Sequence, residues 1–462
     1  MNKIRIQHPP RLDPGFLPAK LWNDAYLEKA AGNKRTRPVA CRLSRPNGTK
    51  WIMRTHMLPA ESCFAKLNSF YGERLLKSLL WAWGACSVEI SGAPDLVAHL
   101  KASYRSGGAR AFDANFMGST CFGNELSINF VDTIEEEGQV GASALVNNES
   151  RGCRIGFDLG GSDRKCAALI DGEVVFSEEI KWNPYFESDP SYHVNGIRDS
   201  LKRAAEKLPR VDAIGGSAAG IYIDNEPRVG SLFRGVSDHD FETVIRPVFH
   251  ELQASFNNVP LVVANDGDVT ALAGAIFLQD NSVLGISMGT SLAAGYVDAG
   301  GGITGKFNEL AFVPVDYRND APADEWSGDF GCGVQYFSQQ AVGRLIPVTG
   351  LHIDGAMPLP EKLEAVQARM RDGDERAQAI YETIGSYLGY SIAHYADFYS
   401  FRHLLFLGRV TSGEGGRILQ ETAERVLADE FPDILGGCSL SMPDEQMKRH
   451  GQAVAAAFLP RL

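Results

Sequence analysis

From residue 150 onward the chain repeats one texture: a short apolar run that ends on Gly, Asn or Asp, with a longer amphipathic stretch before the next. RIGFDLGGS, VDAIGGSAAGI, PLVVANDGD, SVLGISMGTS and HLLFLGRVTSG are the instances. Short apolar runs without alternation suit strands buried on both faces, and strands interleaved with helical stretches build open α/β sheets. Such sheets bind ligands outside the carboxyl ends of their strands, where these Gly, Asn and Asp residues would fall. The expected class is therefore α/β. A duplicated architecture fits, because two strand–glycine turns, at Asp158 and Gly289, lie far apart in the chain.

A chain of 462 residues exceeds what one hydrophobic core usually serves, so more than one domain is expected. Hydrophobic residues at 44% and charged residues at 22% suit a folded globular protein. The formal net charge of -12 repels polyanions and makes nucleic acid a disfavoured partner. No stretch approaches the roughly 20 apolar residues that span a bilayer, and the opening MNKIRIQHPPRLDPGF has no apolar signal core. No membrane association and a cytoplasmic location are the expectations. The eight cysteines are scattered without a C-x-x-C pair and read as mostly buried, reduced thiols.

The segment from Glu135 to Gly152, EEEGQVGASALVNNESRG, is acidic and then small and polar, which reads as a linker and puts a domain boundary near residue 150. Two parts follow, 1–150 and 151–462. Within the first, Tyr71 to Gly84 has helical spacing and stops at glycine, SVEISG reads as a strand and APDLVAHLKASY as a second helix. This is α/β or α+β material without a catalytic constellation. The basic run GNKRTRP reads as a solvated loop.

Three elements of the second part carry chemistry. In Arg154 to Ser162 a strand ends at Asp158 and turns through Gly160 and Gly161, where a missing Cβ lets backbone N–H groups approach a phosphate and Asp158 can hold Mg²⁺ through water. In Gly285 to Ser291 a second turn pairs Gly289 with the Thr290 hydroxyl. Between them PLVVANDGDVTALAGA delivers Asn265 and Asp266 at a strand tip, where a carboxylate can accept the proton of an attacking hydroxyl. Taken singly, the first and third also read as ordinary turns and the second as a plain hairpin.

Taken together, residues 153 to 460 resemble the ROK family of sugar kinases and sugar-responsive regulators. DLGGS resembles that family's first phosphate motif, VANDGDVTALAGA its N-D-A-N-A-A-A-L-G-E motif and MGTS its second phosphate motif. NELAFVPVD (Asn308 to Asp316) resembles its sugar-binding segment, LLFLGRVTSG (Leu404 to Gly413) the turn under the adenine, and HGQAVAAA (His450 to Ala457) the closing helix. The resemblance implies a two-lobed actin-like ATPase fold, ribonuclease H-like, with an additional N-terminal α/β or α+β domain. It makes Asp266 the general base, and Asn265 and Glu309 the ligands of sugar hydroxyls. Gly160, Gly161, Ser162, Gly289 and Thr290 become phosphate contacts, Gly408 an adenine contact and Asp158 the Mg²⁺ ligand through water.

The sequence departs from the family at its zinc knuckle, which survives as Phe312 followed by EWSGDFGC (Glu325 to Cys332). Phe312 replaces the His ligand, and Glu325 and Ser327 replace two of the Cys ligands, so no structural zinc is expected. Packing by Phe312, Trp326 and Phe330 is expected to brace the loop instead. The second phosphate turn reads SLAAG after Gly289 and Thr290, where the family has a denser glycine run, and Arg409 follows Gly408 in the adenine turn.

The resemblance implies an ATP-dependent kinase acting on a small sugar, in a cleft between two lobes, with ATP and Mg²⁺ as cofactors. A catalytically weak or inactive sugar-binding sensor of the same fold is the alternative. A DNA-binding repressor is disfavoured by the acidic charge and by the lack of a clear helix-turn-helix pattern in the first 150 residues. An ATPase acting on protein conformation would have no need of the Asn265 and Glu309 pair. The sugar, the hydroxyl attacked and a homodimeric state stay open. Because every motif lies beyond residue 150, a chain beginning near Arg151 is expected to keep a folded nucleotide site.

Overall fold

The glycine-terminated apolar runs fold as strands. Cys153–Leu159, buried at every position, lies between the parallel strand Ala213–Ala218 and the antiparallel strand Asp163–Ile170. Leu261–Asn265 extends the sheet in parallel on one side and Glu173–Lys181 closes it in antiparallel on the other. Numbered along the chain within this sheet, the strands run in the order 5-4-1-2-3, the mixed arrangement of a ribonuclease H-like fold. The edge strand Glu173–Lys181 alternates toward solvent, whereas the central parallel strands Cys153–Leu159 and Ala213–Ala218 carry the continuous burial of a sheet covered on both faces.

The computed structural model describes residues 4–135, 151–442 and 445–462, and they pack as two compact units. This sheet belongs to the unit formed by the described residues within Ser143–Gly285, Ala294–Gly305 and Pro443–Leu462. On one face Phe157 meets Ile197, Leu201 and Phe249 in a continuous core. On the other face lies the closing helix Glu445–Ala456. It comes so close that a Cβ on Gly156 would stand 1.8 Å from the Ala453 carbonyl oxygen, and one on Gly215 would stand 1.7 Å from that of Ala456. Glycine in two neighbouring strands is thus a packing requirement, since any side chain would push the helix off the sheet.

The other unit contains the described residues within Met1–Ala142, Ile286–Ala293 and Lys306–Met442. The expected helix at Tyr71 to Gly84 is Lys66–Trp83, ending at Gly84 with a φ of 75°. SVEISG forms the strand Ser87–Ser91, and APDLVAHLKASY the helix Pro94–Tyr104. Ser87–Ser91 joins a four-stranded sheet in the order Lys50–Met57, Arg37–Ser44, Ser87–Ser91, Ser127–Phe130, antiparallel except for its last pair. In a second sheet, His403–Leu407 and Ser439–Ser441 pair in parallel within this unit. The long helices Glu375–Tyr395 and Glu414–Glu430 pack against one another in this unit.

The N-terminal arm is tied into the same unit. Asp13 accepts from Arg318 Nη1 at 2.5 Å and from the Tyr387 hydroxyl at 2.6 Å, and the Arg318 guanidinium beside it keeps its carboxyl below the usual range against the pull of burial. Ala19 N donates to the Val315 carbonyl and Tyr317 N to that of Leu17. Residues 4–135 therefore pack together with 306–442. Most of the segment read as a linker, 136–150, lies outside the described residues.

The cysteines are unpaired and buried apart from the exposed Cys63. Among the described residues no helix is long and apolar enough to cross a membrane.

Candidate functional site

Two carboxylates converge at the carboxyl edge of the ribonuclease H-like sheet. Leu159 and Asn265, at the tips of their strands, both stand level with Ala218, which puts them two strand spacings, about 10 Å, apart. Asp158 precedes the first tip and Asp266 follows the second.

Asp158 is buried, and its Oδ1 accepts from the Ser217 hydroxyl at 2.7 Å. Lys165 Nζ stands 3.9 Å from its Oδ2 and 3.2 Å from Asp163 Oδ1. Burial pushes the Asp158 carboxyl up to about 6. The Ser217 hydroxyl and the Lys165 ammonium pull it down, while the charges of Asp266 and Asp163 push it further up. The two expected site carboxylates therefore feel one another.

Asp266 opens the helix Asp266–Leu278, and Asn265 caps it by accepting from Gly267 N at 2.7 Å. Asn265 Nδ2 donates to the Gly220 carbonyl at 2.7 Å, so both ends of this amide are engaged. Gly267 N also reaches Asp266 Oδ1 at 3.0 Å. Burial raises the Asp266 carboxyl above its ordinary value, and its hydrogen bonds to backbone N–H groups oppose that rise. The Asp266 carbonyl accepts from the Thr270 hydroxyl at 2.8 Å and from Gln452 Nε2 at 3.3 Å, which ties Asp266 to the closing helix.

The turn read as the first phosphate motif is a tight hairpin. Gly160 N donates to the Asp163 carbonyl at 2.9 Å, and the Gly160 carbonyl accepts from the Trp182 indole N–H at 2.7 Å. The Ser162 hydroxyl donates to Asp163 Oδ2 at 2.8 Å. A Cβ on Gly161 would stand 2.1 Å from the Tyr185 hydroxyl oxygen, so a phenol occupies the space over this glycine. The motif read from the sequence carries no sign of Tyr185, Trp182 or Ser217, which come from other elements of the sheet and its connections.

The second turn joins the strands Val283–Met288 and Leu292–Val297, which are neighbours in their sheet, so the hairpin reading describes this element. Gly289 N donates to the Ser291 carbonyl at 2.9 Å, and Thr290 is exposed. Gly408 lies against the same strand end. Its φ is 106°, and a Cβ there would meet the Met288 carbonyl oxygen at 2.4 Å.

Glu309 is partly buried in a loop that begins at Asn308, which adopts a positive φ of 55°. Phe312 stacks on Trp81 with ring centroids 4.1 Å apart and meets Trp326 at 6.2 Å, while Phe330 lies under the Arg74 guanidinium at 3.7 Å. The aromatic brace expected for the former knuckle is present, with Trp81 and Arg74 as members that the sequence did not announce. The Ser327 hydroxyl donates to Asp324, and Cys332 is buried with its thiol pushed up to about 12. Among the described residues no three His, Cys, Asp or Glu side chains gather as a metal-holding group. Asp158 alone fits a Mg²⁺ ion held through water, because that ion is commonly bound by one or two carboxylates plus the phosphates of its nucleotide.

No family model matches the sequence, and no curated protein matches it. Solved structures do. A ROK hexokinase from Thermus thermophilus superposes with a TM-score of 0.52 at 17% identity, over 67% of this chain and 98% of its own. A ROK family transcriptional regulator, a homologue of the Escherichia coli MLC protein, gives 0.50 at 20% identity over 66% and 78%. Lmo2764 from Listeria monocytogenes, a putative N-acetylmannosamine kinase, gives 0.50 at 15% identity over 67% and 98%. The chain thus has the two-lobed actin-like fold of the ROK proteins, and about a third of it lies outside these matches.

Proposed function

We propose that the protein is an ATP-dependent sugar kinase that transfers the γ-phosphoryl group to a sugar hydroxyl. The observation that carries the reading is the pair of raised carboxylates, Asp158 and Asp266, at one edge of the sheet. Phosphoryl transfer needs little covalent chemistry from the protein beyond alignment, charge compensation and a group to take the hydroxyl proton.

Asp266 is the general base. Burial raises its carboxyl, which makes it more ready to accept a proton than an exposed aspartate. Its place at the start of a helix, with Asn265 as cap, fixes its direction. The resemblance makes Asn265 and Glu309 ligands of sugar hydroxyls; the Asn265 amide, bonded once at each end, has one further donor and one further acceptor position for this. The resemblance makes Gly160, Gly161, Ser162, Gly289 and Thr290 phosphate contacts and Gly408 an adenine contact. Mg²⁺, held through water at Asp158, offsets phosphate charge when bound. The solved kinases of the same fold support the reaction class.

A second reading, a sugar-binding sensor without turnover, is favoured by two observations. Tyr185 fills the space over Gly161, and the fold is shared with a transcriptional regulator. An ATP-consumption screen over hexoses, hexosamines and acylated amino sugars, with Asp266→Ala as the blank, separates the readings. Sugar-dependent consumption in the wild type alone supports the kinase. Saturable sugar binding with consumption at the blank level supports the sensor.

A further inference from the structure

Residues 4–135 carry none of the sequence motifs assigned to the phosphates or the base, yet their most deeply buried charges converge on the segment that follows the Glu309 loop. Asp329, 6% exposed, meets three cations from the N-terminal region: Arg74 Nη1 at 2.8 Å, Lys77 Nζ at 3.1 Å and Arg110 Nη1 at 2.6 Å. Lys77 is fully buried and also reaches Asp113 Oδ1 at 3.0 Å. That same oxygen accepts from the Trp81 indole N–H at 2.8 Å. Arg110 turns back to Glu73 Oε1 at 2.9 Å. Three cations thus face the three carboxylates of Asp329, Asp113 and Glu73. Buried charges are tolerated only when paired, so the cluster fixes the side chains of the Lys66–Trp83 helix in one arrangement.

The far end of that helix holds the Glu309 loop. The last carbonyls of a helix have no partner within it. Here the Trp81 carbonyl accepts from Glu309 N at 3.0 Å, and the Ala82 carbonyl accepts from Asn308 N at 2.9 Å. The Trp81 ring stacks on Phe312, three residues further on. An unbroken chain of contacts therefore runs from Asp329 through Lys77, Asp113 and Trp81 to the amide of Glu309.

We propose that Trp81, with the Asp329–Lys77–Asp113 relay behind it, is a positioning residue for Glu309, so that the N-terminal region sets how tightly the sugar is held without touching it. The inference rests on Glu309 being a sugar ligand, as proposed above. It assigns a task to the region whose sequence carries no catalytic motif, and it supplies an ionic brace where the knuckle-like segment lacks most of the family's zinc ligands.

The test uses the full-length chain with Trp81→Phe, which removes the indole N–H and keeps an aromatic ring, and Asp329→Asn as a second variant. Amide hydrogen exchange of the peptide covering residues 308–312 and the KM values for sugar and ATP are measured on protein whose circular dichroism is native. Trp81→Phe is expected to speed exchange of that peptide by about five- to tenfold, the order of one buried hydrogen bond. It should also raise the sugar KM by a similar factor while kcat and the ATP KM stay within about twofold. Asp329→Asn, if folded, is expected to act in the same direction; if it does not fold, Trp81→Phe decides. Unchanged exchange at 308–312 in folded Trp81→Phe, or sugar and ATP KM values rising together, overturns the proposal. Wild-type protein that consumes ATP with no sugar partner refutes the kinase reading instead, and the exchange measurement then still tests the positioning of the loop.

Discussion

Asp158 and Asp266 differ in what their surroundings do to them. Asp158 has a hydroxyl donor and an ammonium group beside it and still titrates near 6, because burial outweighs both. Its folded value lies above the unfolded 3.8, so the folded state binds the proton more tightly. The stability this gives is fully present below the unfolded value and is lost as pH rises through about 6. Asp158→Asn keeps an acceptor for Ser217 and carries no charge. It is expected to melt a few degrees above the wild type at pH 7.5, with the gap closing toward pH 4.5. Melting curves across that range decide the point, and a gap that does not change with pH contradicts the assignment. Both residues were legible in the sequence because each sits at the end of a local apolar run. The Ser217 and Lys165 contacts were not, since they depend on which strands become neighbours.

Among the elements, the strands and their glycine turns were the readable part, along with the Lys66–Trp83 and Pro94–Tyr104 helices, whose periodicity is local. The brace of the former knuckle was readable only in half. Phe312, Trp326 and Phe330 could be named from the resemblance to the knuckle segment, but their partners Trp81 and Arg74 lie more than two hundred residues away in sequence. This element makes a metal prediction. Phe312 is committed to stacking, Ser327 to Asp324, and Glu325 with Cys332 supplies two of the four donors that a structural zinc site needs. Elemental analysis of the purified protein is expected to find no stoichiometric zinc, and chelation followed by Mg²⁺ resupply should leave the melting temperature unchanged. One zinc per chain, lost in Cys332→Ser, would show that this loop has a ligand set of another kind.

At the scale of the whole molecule, the packing of residues 4–135 with 306–442 changes the expectation for a chain beginning near Arg151. Such a chain strips Asp329 of all three of the cations that meet it and opens the segment they cover. It also uncovers Phe312 and removes the Asp13 anchor. The shortened chain is expected to lose the near-ultraviolet dichroism of its packed aromatic residues and to aggregate. A soluble, monodisperse form with native dichroism would mean that the N-terminal region is an appendage. The account as a whole turns on Asp266. Formation of sugar phosphate, followed by mass spectrometry with the best sugar from the screen, is the measurement that reaches it most directly. Asp266→Asn is expected to lower kcat by about 10²- to 10⁴-fold, the usual worth of a positioned base, with sugar affinity largely retained. Sugar phosphate formed by Asp266→Asn at the wild-type rate would contradict the kinase mechanism at its centre.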